Sequence, residues 1–395
     1  MFDLEQSVNH PLGRRLRMGL VGGGGSGFIG RVHVVAAQLD GRAELVAGAL
    51  SSNPDRSRAA ATSFGIESGR AYGSYSELLD GELALSEDQR IDFVAIATPN
   101  DTHFEIASAA LQAGFDVVCD KPLTNRVDEA VQLAKLVEQS GRVFVLTHNY
   151  SGYPMVRQAR AMLQAGELGA IQAIRVNYIQ GFLCGLVPGT VSARGVWKSD
   201  PQRAGSGSLG DIGTHAYQLA CFVNDGYPDC LSSNLRTYHS ERPLEDYGHV
   251  LLRWGDETLG CITFSQITHG RLNDLTLEVD GSDASLSWRQ EEPNQLLVRR
   301  FGQPTQIYDR NPNASYTLPQ TREVCRLPAG HPEAFFEAFA NIYRGAFSDM
   351  VASRCGECPS IPGSAYPSVL DGVRGVRFVE TCLRSHENQG CWESL

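Results

Sequence analysis

The sequence predicts an α/β protein, a Rossmann doubly wound parallel sheet followed by an α+β domain with a large, mostly antiparallel open sheet. Three observations predict it. A glycine crowd follows a short apolar strand near the start. Apolar strands then alternate with amphipathic helices to about residue 148, the pattern of βαβ units. Beyond about residue 150, strands follow one another without helices between them, which points to antiparallel pairing. The expected division is a tail over 1–16, a first domain over 17–148 and a second domain over 149–395.

The organising stretch runs from Leu20 to His33, LVGGGGSGFIGRVH. Arg17 to Val21 supplies the strand, and Phe28, Ile29, Val32, Val35, Ala36 and Leu39 then fall at helical spacing. The pattern G-x-G-x-x-G fits twice, as Gly22, Gly24, Gly27 and as Gly25, Gly27, Gly30. A pyrophosphate rests on backbone N–H groups at a helix N-terminus only where no Cβ blocks its approach. The second register is preferred because the helical phase starts at Phe28, which places Gly30 in the first turn. Gly22 is then the turn residue leaving the strand. Gly22, Gly25, Gly27, Phe28 and Ile29 are the first candidate cofactor residues.

Residues 43–50 form a second apolar strand ending at Ser51-Ser52, and helical spacing resumes through Ala59, Ala60 and Phe64. A third strand, Phe93 to Ala97, ends in Thr98-Pro99-Asn100, before a helix with His103 and Ile106 on its inner face. Val117 to Cys119 leads into Asp120-Lys121-Pro122, and a helix from Val127 stops at Gly141 ahead of strand Val143 to Leu146. Ligands of such sheets bind beyond the carboxyl ends of the strands, here at the glycines, Ser51, Thr98 and Lys121. A helix from Tyr153 to Ala165 then gives way to alternating stretches: Ile171–Gln180, Tyr247–Trp254, Thr258–Thr268, Asp274–Val279, Ser285–Trp288 and Gln295–Arg299. Helices around Pro332–Tyr343 and Tyr366–Arg384 pack upon that sheet.

At 395 residues with 42% hydrophobic and 20% charged residues, the composition is that of a soluble two-domain protein. No run of about 18 apolar residues exists to span a membrane, and the first sixteen residues lack the apolar core of a signal peptide. A formal charge of −11 with no basic stripe argues against nucleic-acid partners. Ten cysteines are scattered, and the one tight pair, Cys355-x-x-Cys358, has no second pair to complete a zinc site. No metal is expected. Reduced thiols in the cytoplasm are the expectation.

Six motifs stand along the chain: Gly25–His33, Thr98-Pro99-Asn100-x-x-His103, Asp120-Lys121-Pro122, Gly207-x-Leu209-x-Asp211-x-Gly213-x-His215, His331-Pro332-Glu333-x-Phe335 and the closing Asp371-Gly372 helix. Together they resemble the Gfo/Idh/MocA oxidoreductases, the glucose–fructose oxidoreductase and inositol dehydrogenase family. The resemblance covers nearly all of residues 17–392. It implies an NAD(P)-dependent dehydrogenase or reductase of sugars, cyclitols or their derivatives, with 17–148 as the dinucleotide-binding domain and 149–395 as the substrate-binding and oligomerisation domain, dimeric or tetrameric through the second-domain sheet. Asp120 stands where the family usually has Glu, and Gln218 where the helix after His215 often carries an acid.

Oxidising a secondary alcohol moves a hydride from carbon and a proton from oxygen, and the protein must handle the proton. Lys121 is placed for this at a strand's carboxyl end, before an X-Pro bond of the kind open to the cis form. Asp211 and His215 are four apart, which puts both on one helix face, and an acid beside an imidazole fixes its tautomer and raises its basicity. The catalytic set is therefore Lys121, Asp211 and His215. Either His215 takes the hydroxyl proton while Lys121 polarises the oxygen, or Lys121 alone is the acid/base and His215 a ligand. By resemblance, Asn149, Tyr150, Trp197 and Lys198 are cleft residues, Asn149 for the cofactor and the other three for substrate. Substrate contacts also include Lys121, Asp211 and His215, and cofactor contacts include Thr98, Pro99, Asn100, His103, Asp120 and Lys121. His33 and His103 are read as helix caps near the phosphates or ribose. An acid about 20 residues past the glycines would mark NAD, but the count lands on Ser51. Ser51, Ser52 and Arg56 suit a 2′-phosphate, so dual use or a lean to NADP is expected. Arg157, Arg160, Arg194, Lys198 and Arg203 are candidate contacts should the substrate carry a phosphate. Two other classes remain open at this point, an NAD-holding glycosidase and a non-catalytic nucleotide sensor.

Overall fold

The computed structural model describes residues 11–25, 28–185, 200–239, 243–357 and 366–395. The chain divides into two compact units, Met1–Asn149 with Phe339–Val373, and Tyr150–Ala338 with Arg374–Leu395. The expected contiguous halves differ from this chiefly in that a late segment, 339–373, belongs with the N-terminal unit, as does Asn149. A helix over Phe335–Cys355 supplies the reason. It lays Tyr343 and Phe347 against Phe93, with ring centroids 6.3 and 5.5 Å away. Its Arg354 donates to the Asp92 side chain (3.1 Å) and main-chain oxygen (2.7 Å), and pairs with Asp116. The end of the expected tail is also structural, since Arg14 pairs with Asp92 at 2.6 Å and Leu16 opens the first strand.

The first unit holds five parallel strands, β1 (Leu16–Gly22), β2 (Ala43–Ala49), β3 (Phe93–Ala97), β4 (Asp116–Cys119) and β5 (Phe144–Leu146), in the order β2-β1-β3-β4-β5. The order reverses between β1 and β3, and that switch point is where doubly wound sheets open a crevice for ligands. Around it lie α1 (Phe28–Gln38), α2 (Pro54–Ser63), α3 (Tyr75–Leu83), α4 (His103–Gln112) and α5 (Val127–Ser140). Helix α3 has an overlooked sequence signal: Ser74 caps it by accepting from the Glu77 N–H, the spacing of a capping box.

The second unit is a nine-stranded sheet whose strands lie in the order β13 (Gln306–Asp309), β12 (Gln295–Arg299), β11 (Ser285–Arg289), β10 (Asp274–Gly281), β6 (Ile171–Ile179), β9 (Thr258–Ser265), β8 (Tyr247–Trp254), β7 (Cys230–Arg236) and β14 (Glu393–Ser394). Its centre is β6 (Ile171–Ile179), parallel to β9 (Thr258–Ser265) on one side and antiparallel to β10 (Asp274–Gly281) on the other. On β8 (Tyr247–Trp254), Val250, Leu252 and Trp254 point into the core while His249, Leu251 and Arg253 stand exposed, so one sheet face is covered. Helices α6 (Pro154–Gln164) and α7 (Thr214–Asn224) supply that cover, packing Tyr153 against Trp288 at 5.3 Å. Each fully buried aliphatic or aromatic side chain there stabilises the unit by roughly 1.5–3 kcal/mol.

Candidate active site

In the first unit the cradle is made of bare main chain. Gly22 ends β1 with φ +84 and Gly23 follows with φ +75. A Cβ on Gly22 would come within 2.6 Å of the Ala97 carbonyl oxygen, and one on Gly30 within 2.5 Å of the Gly23 Cα. Gly24 donates its N–H to the Leu50 carbonyl at 3.0 Å, and its Cβ would strike the Leu50 Cβ at 2.4 Å. The glycines the protein itself requires are thus 22, 23, 24 and 30. Gly30 packs helix on strand end as its register expects, but its partner is Gly23, which sequence reasoning had not singled out. Gly25 has nothing within 4 Å, so its missing side chain leaves open space. Gly27 lies outside the described residues; Phe28 is exposed and Ile29 half-buried. A strand end, positive-φ glycines and a helix N-terminus at the switch point together suit a dinucleotide's pyrophosphate.

The neighbouring strand ends are tied together by side chains. At the end of β2, Ser51 accepts from the Asn53 N–H at 3.2 Å, and Asn53 caps α2 by accepting from the Arg56 N–H at 2.9 Å. Ser52 and Arg56 are exposed there. After β3, the Thr102 hydroxyl bonds both Thr98 Oγ1 and the Pro99 carbonyl at 2.8 Å, bracing the short turn that Asn100 opens. The buried His103 ring spans from the Thr98 carbonyl (3.0 Å) to the Pro122 carbonyl (2.8 Å), clamping the β3 turn to the Lys121 turn. The Lys121–Pro122 bond is cis. Asp120 Oδ1 accepts from the Lys121 N–H at 2.9 Å and the Thr147 hydroxyl at 3.0 Å, and Lys121 is half-buried. His148, which no motif marked, is buried behind this turn. Burial, and then the charge of Lys121, push its pKa down to about 4. Asn149 is 3% exposed and its Nδ2 has no hydrogen-bond partner among the described residues, an orphaned donor that a bound polar group would satisfy.

His33 differs from expectation. It sits in the middle of α1 rather than at its cap, fully buried, with Nδ1 2.7 Å from the Tyr343 hydroxyl and its ring edge-on to Phe339 at 5.1 Å. Burial lowers its pKa to about 4, so it is a neutral strut. Its capping role fails because helical phase turns residue 33 inward, the face on which Ala36 and Ala37 also lie.

In the second unit the site is made of side chains. Asp211 lies in a π-helical turn, Leu209–Gly213, that runs directly into α7 and its His215. Such wide turns gather at functional sites. The expected α-helical i,i+4 geometry therefore holds only from Thr214 onward. The turn is pinned from behind by buried Glu245, whose Oε1 accepts from the Gly207 N–H (2.6 Å) and the Leu209 N–H (3.1 Å). Asp211 Oδ2 accepts from Gln266 Nε2 at 3.0 Å. His215 is 8% exposed, its ring edge-on to Tyr150 at 5.0 Å and 6.2 Å from Tyr178. The two phenol oxygens lie 2.5 Å apart, and Tyr178 donates to Asn273 Oδ1 at 2.9 Å. Burial pushes both phenols above their ordinary range, so they act as neutral hydrogen-bonding groups. Gln180 closes the circuit, donating to Asn273 at 2.5 Å and accepting from Gln266 at 3.2 Å. Gln180, Gln266 and Asn273 carry no motif; sheet register alone assembles them.

Trp197, Lys198, Arg194 and Cys358 lie outside the described residues. Two of the candidate phosphate-binding arginines hold structure instead: Arg157 donates to the Ser151 carbonyl at 3.1 Å and Arg160 pairs with Asp225 at 2.5 Å. Among the described residues no helix is long and apolar enough to cross a membrane.

Family models match both units. Residues 16–159 match the oxidoreductase family with an NAD-binding Rossmann fold, and residues 156–287 match the GFO/IDH/MocA C-terminal domain. The uncharacterized oxidoreductase YfiI of Bacillus subtilis is 33% identical over 99% of both chains. Among solved structures, an inositol dehydrogenase homolog of Azotobacter vinelandii complexed with NAD+ superposes with a TM-score of 0.90 at 37% identity, over 96% of this chain and 97% of that one. A levoglucosan dehydrogenase in complex with NADH and levoglucosan superposes with a TM-score of 0.80 at 26% identity, over 96% and 99%.

Proposed function

The chain belongs to the Gfo/Idh/MocA oxidoreductase family and is an NAD(P)-dependent enzyme acting on CH–OH groups; we propose that it interconverts a secondary alcohol and a ketone on a sugar, cyclitol or related polyol. The observation that carries this reading is the ring of hydrogen-bonding side chains around Asp211 and His215, in which amides, phenols and a carboxylate gather at one end of the sheet. A polyol offers a donor and an acceptor at every carbon, and such a site rewards that pattern while leaving unpaired groups against an analogue that lacks it. When bound, the nicotinamide accepts the hydride. The chain's own groups handle the rest. Lys121 donates to the alcohol oxygen and polarises it, His215 takes or relays the hydroxyl proton, and Asp211 binds neighbouring hydroxyls. Structural neighbours support polyols as the substrate class: an inositol dehydrogenase homolog complexed with NADH and myo-inositol, and a levoglucosan dehydrogenase in complex with NADH and levoglucosan.

For the cofactor, Ser51, Ser52 and Arg56 stand where an acid would otherwise read the ribose hydroxyl, which favours dual use or a lean to NADP. A more than hundredfold kinetic preference for NAD overturns the lean. A homodimer or homotetramer in the cytoplasm, built on the outward sheet face where Leu251 and Leu259 are exposed, completes the reading.

The test is a screen of cyclitols and aldoses with NAD and with NADP, followed at the reduced-cofactor absorbance. Reduction with at least one polyol is the expected result. Cleavage of nitrophenyl glycosides without net cofactor reduction overturns it in favour of a glycosidase.

A further inference from the structure

The acid in the wide turn is held from outside its own helix. Gln266 follows β9 and is 3% exposed. Its side-chain amide is used at every polar position. Oε1 accepts from the Ser208 hydroxyl at 2.8 Å, while Nε2 donates to Asp211 Oδ2 at 3.0 Å and to Gln180 Oε1 at 3.2 Å. One amide thereby grips the turn twice, at Ser208 where it begins and at Asp211 three residues on. Its main chain is fixed as well, the Gln266 N–H donating to the Asp246 carbonyl at 3.0 Å. An amide so placed has one orientation, because flipping it would set its oxygen against two acceptors, the Asp211 carboxylate and the Gln180 amide oxygen.

We propose that Gln266 is a positioning residue for the reaction: it fixes the Asp211 carboxylate and links it, through Gln180 and Asn273, to the phenols beside His215. This rests on the dehydrogenase reading for its catalytic meaning but not for its geometry. The linkage runs through Gln180 Nε2 to Asn273 Oδ1, which also accepts from Tyr178, and Tyr178 lies against Tyr150 and His215. Amides are suited to the task. They neither gain nor lose a proton across the working pH range, so they hold a carboxylate without competing for the proton that moves. Among the described residues, the Asp211 charge acts on Tyr150 and Tyr178, and His215 on α7 lies against both phenols; Glu245 accepts from the N–H groups of the turn, and the Asp246 carbonyl holds the Gln266 main chain.

An N–H donor on a carboxylate favours its charged form, and a second carboxylate beside it does the opposite. Two variants separate these. Gln266→Leu removes the donor, and Gln266→Glu also sets a like charge against Asp211. The Asp211 carboxyl carbon, followed by ¹³C NMR in aspartate-labelled protein and assigned by its loss in Asp211→Asn, is expected to titrate at higher pH in both variants, by roughly one unit in Gln266→Glu and less in Gln266→Leu. With the polyol identified by the screen, the acid limb of the kcat/KM profile should move the same way, a readout that simple loss of packing would leave in place. A titration within about 0.2 units of the parent in both variants overturns the proposal. Should neither variant fold, Gln180→Leu decides it: a smaller shift of the same sign supports the linkage, and no shift overturns it. The titration needs no turnover, so a parent protein that oxidises no polyol sinks the dehydrogenase reading without touching this test.

Discussion

In the first unit the candidate ligand-facing surface is main chain: Gly22 and Gly23 at positive φ, Gly30 pressed against Gly23, and strand ends tied down by His103, Asp120 and Thr102. In the second unit the equivalent surface is side chain, with Asp211, Gln266, Gln180, Asn273 and two tyrosines bonded in sequence. A backbone cradle tolerates no added carbon but reads any diphosphate alike. A side-chain ring accepts exchange of one member, at the cost of what that member recognised or moved. Under the proposed function, the difference separates a shared cofactor from a variable substrate.

The largest effect that would sharpen this contrast is His215→Asn. Turnover of the polyol should fall about 10²–10⁴-fold, as for loss of an acid–base group, while dinucleotide affinity stays within about threefold. Steady-state kinetics beside fluorescence titration of NADH reads both. Next comes Gly30→Val, which forces side-chain carbons where the Gly23 Cα lies 2.5 Å from the position of a Cβ. Dinucleotide affinity should drop by about a hundredfold, with a loss of roughly 3 kcal/mol in denaturant unfolding. Retained affinity would break the claim that this approach shapes the cradle.

A third test uses acid. His33 and His148 both have pKa values lowered by burial to about 4, below the ordinary value of 6.5. The unfolded chain therefore takes up protons first, so stability is complete near pH 7 and is lost as pH falls from about 6.5 to about 4. At pH 5 the loss should be on the order of 2 kcal/mol per histidine. Urea midpoints at pH 7 and pH 5 measure it, and His33→Gln should flatten the dependence. The smallest effect is at the exposed end of β2. Arg56→Ala should raise KM for NADP about fivefold, the worth of one exposed charge contact, and leave KM for NAD unchanged. Equal changes for both cofactors would remove Arg56 from cofactor selection.

Much of this was legible beforehand, for reasons that particular residues make plain. The strand from Phe93 to Ala97 is fully buried and uniformly apolar, and Val127–Ser140 has both its apolar phase and its terminating Gly141, in the αL conformation. Lys121 and His215 were visible because short motifs carry them. Gln266 and Asn273 were not, since each merely ends or precedes a strand. His33 was misread for a related reason: a histidine near a phosphate motif looks functional until Tyr343, 310 residues later, is seen to take its ring nitrogen.

Local order along the chain was determined by sequence alone, because strand and helix periodicity, glycine at positive φ and the strand-end motifs depend on neighbours a few residues apart. Partnership across the chain was decided only by tertiary structure. β6 lies between β9 and β10, so Ile179 stands beside both Ser265 and Asp274, and their flanking residues Gln180, Gln266 and Asn273 meet at one sheet end. Helix Phe335–Cys355 likewise carries an apolar face that names no partner, and which sheet it covers is settled by where Phe93 and Asp92 already lie. Burial rewards apolar area wherever it is found, and only the register of strands far apart in sequence says which polar groups end up face to face.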